Sequence, residues 1–247
     1  MDRFEIDINC DVGEGVGNEG NLLPLISSCN IACGGHAGDN KSMKDVIRLA
    51  KQHHVKIGAH PSYPDRENFG RVSMHLSPEI LEQSIKDQLE AFMQIMNNEQ
   101  AHLHHIKPHG ALYNDIAKNA GLAKLFLKAV ETYKNKCSLY VPFGSKISEE
   151  ANKQGFQIKY EAFADRNYNE DLSLVSRSRS KAIIEAPEKV LGHLLSMIKN
   201  DRVITVDENS IPIKAETFCV HGDTPSAYKI LTYLSHKLPE HQVRIKK

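Results

Sequence analysis

Short β-rich runs alternate with amphipathic helical stretches along this chain, and that alternation limits its fold more than any other feature. Candidate strands cover 4–9 (FEIDIN), 28–32 (SCNIA), 55–59 (VKIGA), 104–107 (HHIK), 138–142 (SLYVP), 157–161 (QIKYE), 202–206 (RVITV) and 216–220 (ETFCV). Asp39 can cap the pattern NKSMKDVIRLAKQHH, whose Met43, Val46, Ile47 and Ala50 make one apolar stripe. Ser77-Pro78 opens EILEQSIKDQLEAFMQIM with proline at its tolerated first position, and Pro187 and Thr224-Pro225 open two further helical patterns. The link between the first two strands holds only NLLPLIS, interrupted by Pro24. Such alternation implies parallel strands joined by helical crossovers. A (β/α) barrel and an open doubly wound sheet both satisfy it. No Pro/Ser-rich linker or low-complexity stretch divides the 247 residues, so we expect one domain spanning 1–247.

The location of the reactive side chains separates the two folds. Asp11 and Glu14 follow the first strand, and His36 and Asp39 (CGGHAGD) follow the second. His60 and Asp65 follow the third, Lys107 and His109 the fourth, Glu161, Asp165 and Arg166 (EAFADR) the sixth, and His221 and Asp223 (VHGDTP) the last. In an open sheet these strand ends spread along an edge, and only those beside a topological switch point meet. In a barrel they converge on one face, where active sites are built. Six sets of catalytic-type residues favour the barrel.

Each residue also has a plainer explanation. N-capping accounts for Asp39 and Asp223 as well as chemistry does, and Glu14 among glycines fits an exposed loop charge. A lone His60 before Pro61 reads as a satisfied histidine, but His36, His60, His109 and His221 at four strand ends form a set. His53, His54, His75, His102, His193, His236 and His241 read as surface residues, and His104 and His105 as structural ones.

Composition removes several classes of function. The 31 basic and 31 acidic residues cancel, which leaves no global field for nucleic acid or an anionic membrane. The tail VRIKK reads as a solvated end. No apolar run approaches the roughly 18 residues that a membrane span needs, and MDRFEIDIN enters an acidic strand without a signal-peptide core. Cys10, Cys29, Cys33, Cys137 and Cys219 are odd in number and form no CxxC pair, as expected of reduced thiols in the cytoplasm.

Gly15, Gly17 and Gly20 follow the first strand with the spacing of a dinucleotide-binding loop. That loop must run straight from strand to helix, whose N-terminus holds the pyrophosphate. Here acidic residues crowd the turn and the next segment is short and Pro-broken, so the match is one of spacing. No GxxxxGK[ST] sequence supplies a P-loop.

Carboxylates, imidazoles, a lysine and an arginine around one pocket suit attack on a carbonyl or amide. Asp11 could position or deprotonate water, Lys107 or His109 could stabilise the oxyanion, and a histidine could protonate the leaving nitrogen. Arg166 suits a bidentate grip on a substrate carboxylate or phosphate. Asp11, His36 and His60 could alternatively hold a divalent metal, although no HxH or HExxH spacing vouches for it.

The segments DINCDVGEG, SSCNIACGGHAGD, VKIGAHPSYPD with FGR, HIKPHGALYND, EAFADRNY and CVHGDTP resemble the LamB/YcsF family, in order, over nearly the whole chain. The resemblance implies an irregular (β/α) barrel, TIM-barrel-like and of the glycoside hydrolase/deacetylase type. It also implies ATP-dependent opening of 5-oxo-L-proline to L-glutamate with partner subunits B and C. Carried over by motif, the catalytic set is Asp11, Glu14, Lys107, His109 and Asp165, and the substrate-binding set His36, Asp39, His60, Arg166, His221 and Asp223. ATP is then a co-substrate whose site stays open between this chain and the partners, and a divalent metal and oligomer formation stay open as well. Val16 and Gly35 depart from the family pattern, where aromatic residues are frequent, and are expected to reshape the pocket wall. Two other classes remain: a stand-alone metal-dependent deacetylase or sugar-active hydrolase on the same barrel, and a non-catalytic substrate-binding subunit.

Overall fold

β1 (Phe4–Val12), β2 (Ser28–Ala32), β3 (Lys56–His60), β4 (Leu103–Ile106), β5 (Ser138–Pro142) and β6 (Ile158–Phe163) pair in chain order, all parallel, in the computed structural model. The structure describes residues 4–247, so the start of the MDRFEIDIN stretch lies outside the described residues. β7 (Arg202–Ile204) and β8 (Ser210–Pro212) form an antiparallel hairpin apart from this sheet. β9 (Thr217–Cys219) then bonds both β6 and β1 and closes a seven-stranded barrel. The run 202–206, expected among the parallel strands, is the first arm of that hairpin. β-branched residues alone gave it the same signature as a barrel strand.

The C-terminal tail departs from expectation as well. β10 (Val243–Ile245) pairs in parallel with Phe4–Ile6 of β1, directly below the stretch of β1 that β9 occupies. Val243 is buried, and the Lys247 ammonium donates to the carbonyls of Pro24 and Ile26. The tail is thus part of the barrel wall.

The short link after β1 is α1 (Glu19–Leu22) and a single 3₁₀ turn at Leu23–Leu25. α2 (Asn40–Gln52) buries the expected stripe of Met43, Val46, Ile47 and Ala50. α3 (Pro78–Asn98) starts where the Ser77 hydroxyl accepts from the Ile80 N–H, and it buries Leu81, Ile85, Leu89, Phe92 and Met96. Each such side chain contributes about 1.5–3 kcal/mol on burial. α4 (Gly110–Lys118) and α5 (Ala120–Ala129) both follow β4, and α6 (Lys146–Gln154) follows β5. α7 (Pro187–Asn200) and α8 (Ala227–Lys237) open near the expected prolines. Between β6 and α7, residues 164–186 form an irregular strap held by bridges at Arg166–Ile183 and Tyr168–Leu174.

Inside the barrel the alternation of strand side chains brings polar groups inward. Asp7, Asn9 and Asp11 of β1 face Ser28 and Asn30 of β2, His105 of β4, Glu161 of β6 and Thr217 of β9, all buried. Asp7 accepts from Ser28 (2.6 Å) and Thr217 (2.8 Å), while Asn9 donates to Glu161 (2.9 Å) and Thr217 (2.8 Å). The His105 ring fills the centre of the barrel, stacked on Tyr140 at 3.9 Å. β3 makes room for it with Gly58, where a Cβ would lie 2.1 Å from the ring. His105 therefore has the structural role expected of it.

Candidate active site

The polar column opens at the C-terminal ends of the strands into a cavity of about 340 Å³ lined by Asp11, Glu14, His60, Lys107, His109 and His221, among others. Lys107, two residues beyond His105 and hence also inward, is buried, with Nζ 3.0 Å from Asp11 Oδ1, 2.9 Å from Glu161 Oε1 and 3.1 Å from Cys219 Sγ. Burial works to strip its proton, but the Asp11 and Glu161 carboxylates outweigh that and hold its pKa well above the usual lysine value. Lys107 is thus a fixed positive charge.

Asp11 is buried yet ionised. Burial opposes its charge, while His60 and Lys107 draw its pKa well below the ordinary carboxylate range. The Asn30 amide, itself oriented by His105 at 2.6 Å, donates to Asp11 Oδ1 at 2.7 Å. Glu14 behaves oppositely. Gly13 and Gly15 on either side of it have φ of 73° and 82°, and this left-handed backbone bends the loop so that the carboxylate turns into the cavity. Burial, Asp11 and Asp223 push its pKa well up.

Around Glu14 stand three imidazoles, and the four side chains offer donor atoms all within 4.8 Å of one another. Glu14 Oε1 is 3.0 Å from His36 Nε2, 3.3 Å from His109 Nδ1 and 4.0 Å from His60 Nε2. The Lys107 carbonyl accepts from His60 Nδ1 at 2.7 Å, and the Phe69 carbonyl from His109 Nε2 at 3.0 Å. These two contacts place a proton on His60 Nδ1 and on His109 Nε2, so His60 Nε2 and His109 Nδ1 face each other 3.0 Å apart with bare lone pairs unless a further proton lies at His60 Nε2. Two facing lone pairs beside a carboxyl call for a positive centre, either a proton or a cation. Burial lowers the His36 pKa to about 2 and that of His109 well below the usual histidine value, so both rings stay neutral.

A tetrahedral zinc-type ion with bonds of about 2.05 Å spaces its ligands by about 3.3 Å, and the 3.0 to 4.0 Å distances bracket that figure. The rings of His36 and His109 are parallel to within 2° and stacked at 3.6 Å, so their nitrogens approach the site from two separate planes. His60, His109 and Glu14 are the set that fits. His36 packs behind them against Glu14. Of the expected trio Asp11, His36 and His60, Asp11 turns Oδ1 to Lys107 and Asn30 and approaches His60 Nε2 only to 3.5 Å with Oδ2. Asp11, Cys219 and His221 also come together, but the Lys107 ammonium already contacts the first two.

On the opposite wall, Asp165 holds His221. Its carboxylate accepts from the His221 backbone N–H (2.9 Å), from His221 Nδ1 (2.9 Å) and from the Thr224 hydroxyl (3.2 Å). Although burial raises the carboxyl pKa, His221 lowers it more, and the net shift is downward. Nδ1–H is thereby fixed, leaving Nε2 as the basic nitrogen of His221. Asp165 acts through His221.

Three expected binding residues have partners within the protein, and Arg166 and Asp223 also line the cavity. Asp39 is exposed and forms a reciprocal capping box with Ser42 at the start of α2, outside this cavity. Arg166 lines the cavity, but its guanidinium donates to the Val175 and Ala182 carbonyls (2.7 and 3.1 Å) and so ties the strap down. Burial lowers its pKa to about 10. Asp223 caps no helix and instead joins two arginines, Arg71 directly and Arg177 at 3.7 Å, both of which line the cavity. Val16 is exposed and Gly35 packs against Ser62 and Gln88, so neither shapes the wall.

Arg71, Arg177 and Tyr113 are the functional-type residues that strand-end reading did not single out, and it places Glu161, the Lys107 partner, at a strand end but gives it no role. Glu161 shares the inward parity of Phe163 on β6, and Arg71 ends the FGR segment, so both left a trace. Arg177 lies in the strap, which has no periodic signal. All five cysteines are free and buried. Among the described residues no helix is long and apolar enough to cross a membrane.

A model of the LamB/YcsF family matches residues 6–247. The chain is 37% identical to a Pyrococcus furiosus protein named as the A subunit of 5-oxoprolinase, with 98% of this chain and 97% of that protein covered. It is 39% identical to a Haemophilus influenzae protein of the same name, covering 98% of each. Its fold superposes on the crystal structure of a lactam utilization protein from Thermus thermophilus with a TM-score of 0.91 at 33% identity, covering 98% of this chain and 99% of that one. A chitinase from Pseudoalteromonas aurantia, at 8% identity and a TM-score of 0.50 over 93% of this chain and 99% of its own, shares the barrel architecture alone.

Proposed function

The chain belongs to the LamB/YcsF family, and from that premise we propose that it serves as the A subunit of an ATP-dependent 5-oxoprolinase, opening 5-oxo-L-proline to L-glutamate in the cytoplasm with partner subunits B and C. One observation carries the reading: an ionised carboxylate, a buried ammonium and an Asp-held imidazole, Asp11, Lys107 and His221, face one cavity. The names of the relatives, which make each of them one part of a larger enzyme, support the division of labour.

Asp11, aligned by Asn30 and Lys107, takes the proton of the attacking water. The Lys107 ammonium stabilises the negative charge carried at the activated, phosphorylated oxygen, at no cost of reorganisation because its carboxylates already fix it. His221 gives its Nε2 proton to the leaving nitrogen, and Asp165 offsets the charge of the imidazolium that precedes that transfer. Arg71 and Arg177 take the substrate carboxylate, the role expected of Arg166. A divalent cation on His60, His109 and Glu14 would supply Lewis-acid polarisation of the carbonyl.

ATP answers a chemical need. A five-membered lactam is an unstrained amide, and phosphorylating its oxygen from ATP, with release of ADP, makes it a good electrophile. Water addition and C–N cleavage then leave an acyl phosphate, which a second water hydrolyses to glutamate and phosphate. No P-loop sequence occurs in this chain, in keeping with an ATP site on subunits B and C. The test is glutamate release from 5-oxoproline and ATP, with the partner subunits added one at a time. We expect turnover only with all three, abolished by exhaustive chelation. No glutamate from the full set would refute the function, full-rate turnover by this chain alone would refute the division of labour, and activity that survives chelation would remove the cation.

A further inference from the structure

The segment between β3 and α3 makes a tight turn with a residue that suits it badly. The Arg71 N–H donates to the Asn68 carbonyl at 3.0 Å, and the two residues between them, Phe69 and Gly70, have φ of 55° and 62°. Two central residues at positive φ define a type I′ turn, where Asn, Asp and Gly dominate. Gly70 meets that demand. Phe69 does not, because a bulky side chain at positive φ is strained.

Strain of this kind persists only where the surroundings hold it, and it gathers at functional sites. Four contacts hold Phe69. Its carbonyl accepts from His109 Nε2 at 3.0 Å. Its ring meets the rings of His36 and His109 edge to face, with centroids 5.3 and 5.5 Å away. The Arg71 guanidinium lies over the same ring at 4.7 Å. The turn is also pinned on both sides. Asp65 Oδ1 accepts from the Asn68 N–H and side-chain amide at 3.0 Å each, and the Gly70 carbonyl accepts from Ala111 in the first turn of α4 at 2.9 Å.

His109 and Arg71 both line the main cavity, and each has a second partner there, Glu14 for His109 and Asp223 for Arg71. Any residue in this backbone conformation would present the carbonyl, but only an aromatic one offers a π face to a guanidinium. That is a reason for phenylalanine where the turn asks for asparagine or glycine.

We infer that Phe69 is a positioning residue for two walls of the cavity. Its carbonyl keeps the His109 proton on Nε2 and so turns Nδ1 towards Glu14 and His60, and its ring steadies the Arg71 guanidinium where a substrate carboxylate arrives. Carbonyls behind an imidazole commonly set its tautomer and direction in this way. The inference deepens the reading of the chain as a subunit that takes a carboxylate-bearing lactam, and the choice of that ligand rests on it.

Three variants separate the parts: Phe69→Leu keeps apolar bulk, Phe69→Asn suits the turn, and Phe69→Tyr keeps the ring. The probes are 5-oxo-L-proline and 2-pyrrolidone, which lacks the carboxylate, each titrated into the full-length chain by calorimetry. The Leu and Asn variants should bind 5-oxoproline about two- to fivefold more weakly, the worth of one cation–π contact at an exposed site. They should bind 2-pyrrolidone as wild type does, and the Tyr variant should match wild type with both. In the assembled complex the first two should raise the KM for 5-oxoproline by the same factor with kcat nearly unchanged. Two NMR signatures need no substrate. Ring-nitrogen shifts should show His109 protonated at Nε2, and the Arg71 side-chain protons should carry an upfield ring-current shift that Phe69→Leu and Phe69→Asn lose. His109 protonated at Nδ1 instead, Arg71 shifts alike in all variants, or wild-type affinity for 5-oxoproline in Phe69→Asn overturns the inference. Equal losses for 5-oxoproline and 2-pyrrolidone overturn it too, by reducing Phe69 to general support of the cavity. Both NMR signatures without any 5-oxoproline turnover by the complex would leave the positioning standing and remove the function.

Discussion

Asp165 shows how one buried carboxylate can govern chemistry that it does not perform. With its oxygens spent on the His221 backbone, the His221 ring and Thr224, it decides which ring nitrogen carries the proton. Asp165→Asn keeps the shape and loses that control. We expect kcat of the assembled complex to fall by about 10² to 10⁴ with KM changed much less, since general acid–base catalysis is worth that range. A fall in kcat of under threefold in a folded variant would remove His221 from the mechanism. Residue identity alone gave the sequence reading no means of separating such roles. Asp39 and Asp223 both stand ahead of a helix and both fit a cap or a site. In the fold the first bonds Ser42 at the head of α2, while the second joins Arg71, 152 residues away in the chain. Long-range partners of that kind leave no local pattern.

At the level of elements, helices and strands with a buried stripe were legible, and those that depend on a distant partner were not. α2 and α3 declare their caps and apolar faces. β10 is three residues in a basic tail, and only the open lower edge of β1 makes it a strand. Removing residues 243–247 should therefore unpair Phe4–Ile6 and expose the site that Val243 fills. The expected cost is about 2–4 kcal/mol, from one buried aliphatic side chain and several hydrogen bonds. Urea unfolding of the truncated chain measures it, and an unchanged midpoint would return the tail to the solvent. The strap at 164–186 escaped sequence reading for a related reason. It is ordered by irregular backbone bonds and by side chain to backbone bonds, such as those of Arg166 to Val175 and Ala182, and carries neither helical nor strand periodicity.

Taken whole, the molecule keeps several histidines neutral inside the fold. Burial first, then Lys159 and Lys56, lowers His104 to about 4 against a weaker pull from Asp7. Burial and His104 take His105 well below the usual value. His193, expected at the surface, has its Nε2 shut off from solvent, and burial lowers it to about 4 despite Asp165. An unfolded histidine takes its proton near pH 6.5. Between about pH 6.5 and 4 the unfolded chain thus binds protons that the folded one refuses, so stability falls as pH drops through that window. A ring as shielded as His193 accounts for at most roughly 2 kcal/mol by pH 5. Urea midpoints at pH 7.5 and pH 5 check this, and equal values would contradict it.

The polar column inside the barrel has a thermal consequence. Where an ordinary barrel of this kind exposes oily layers on unfolding, this one also releases Asp7, Asn9, Ser28, Asn30, Glu161 and Thr217 to water. Hydration of apolar surface raises the heat capacity of the unfolded chain, and hydration of polar surface lowers it. The increment on unfolding is therefore smaller than for an oil-filled barrel of equal size, and the stability curve is broader, so the site at the barrel mouth stays assembled over a wider span of temperature.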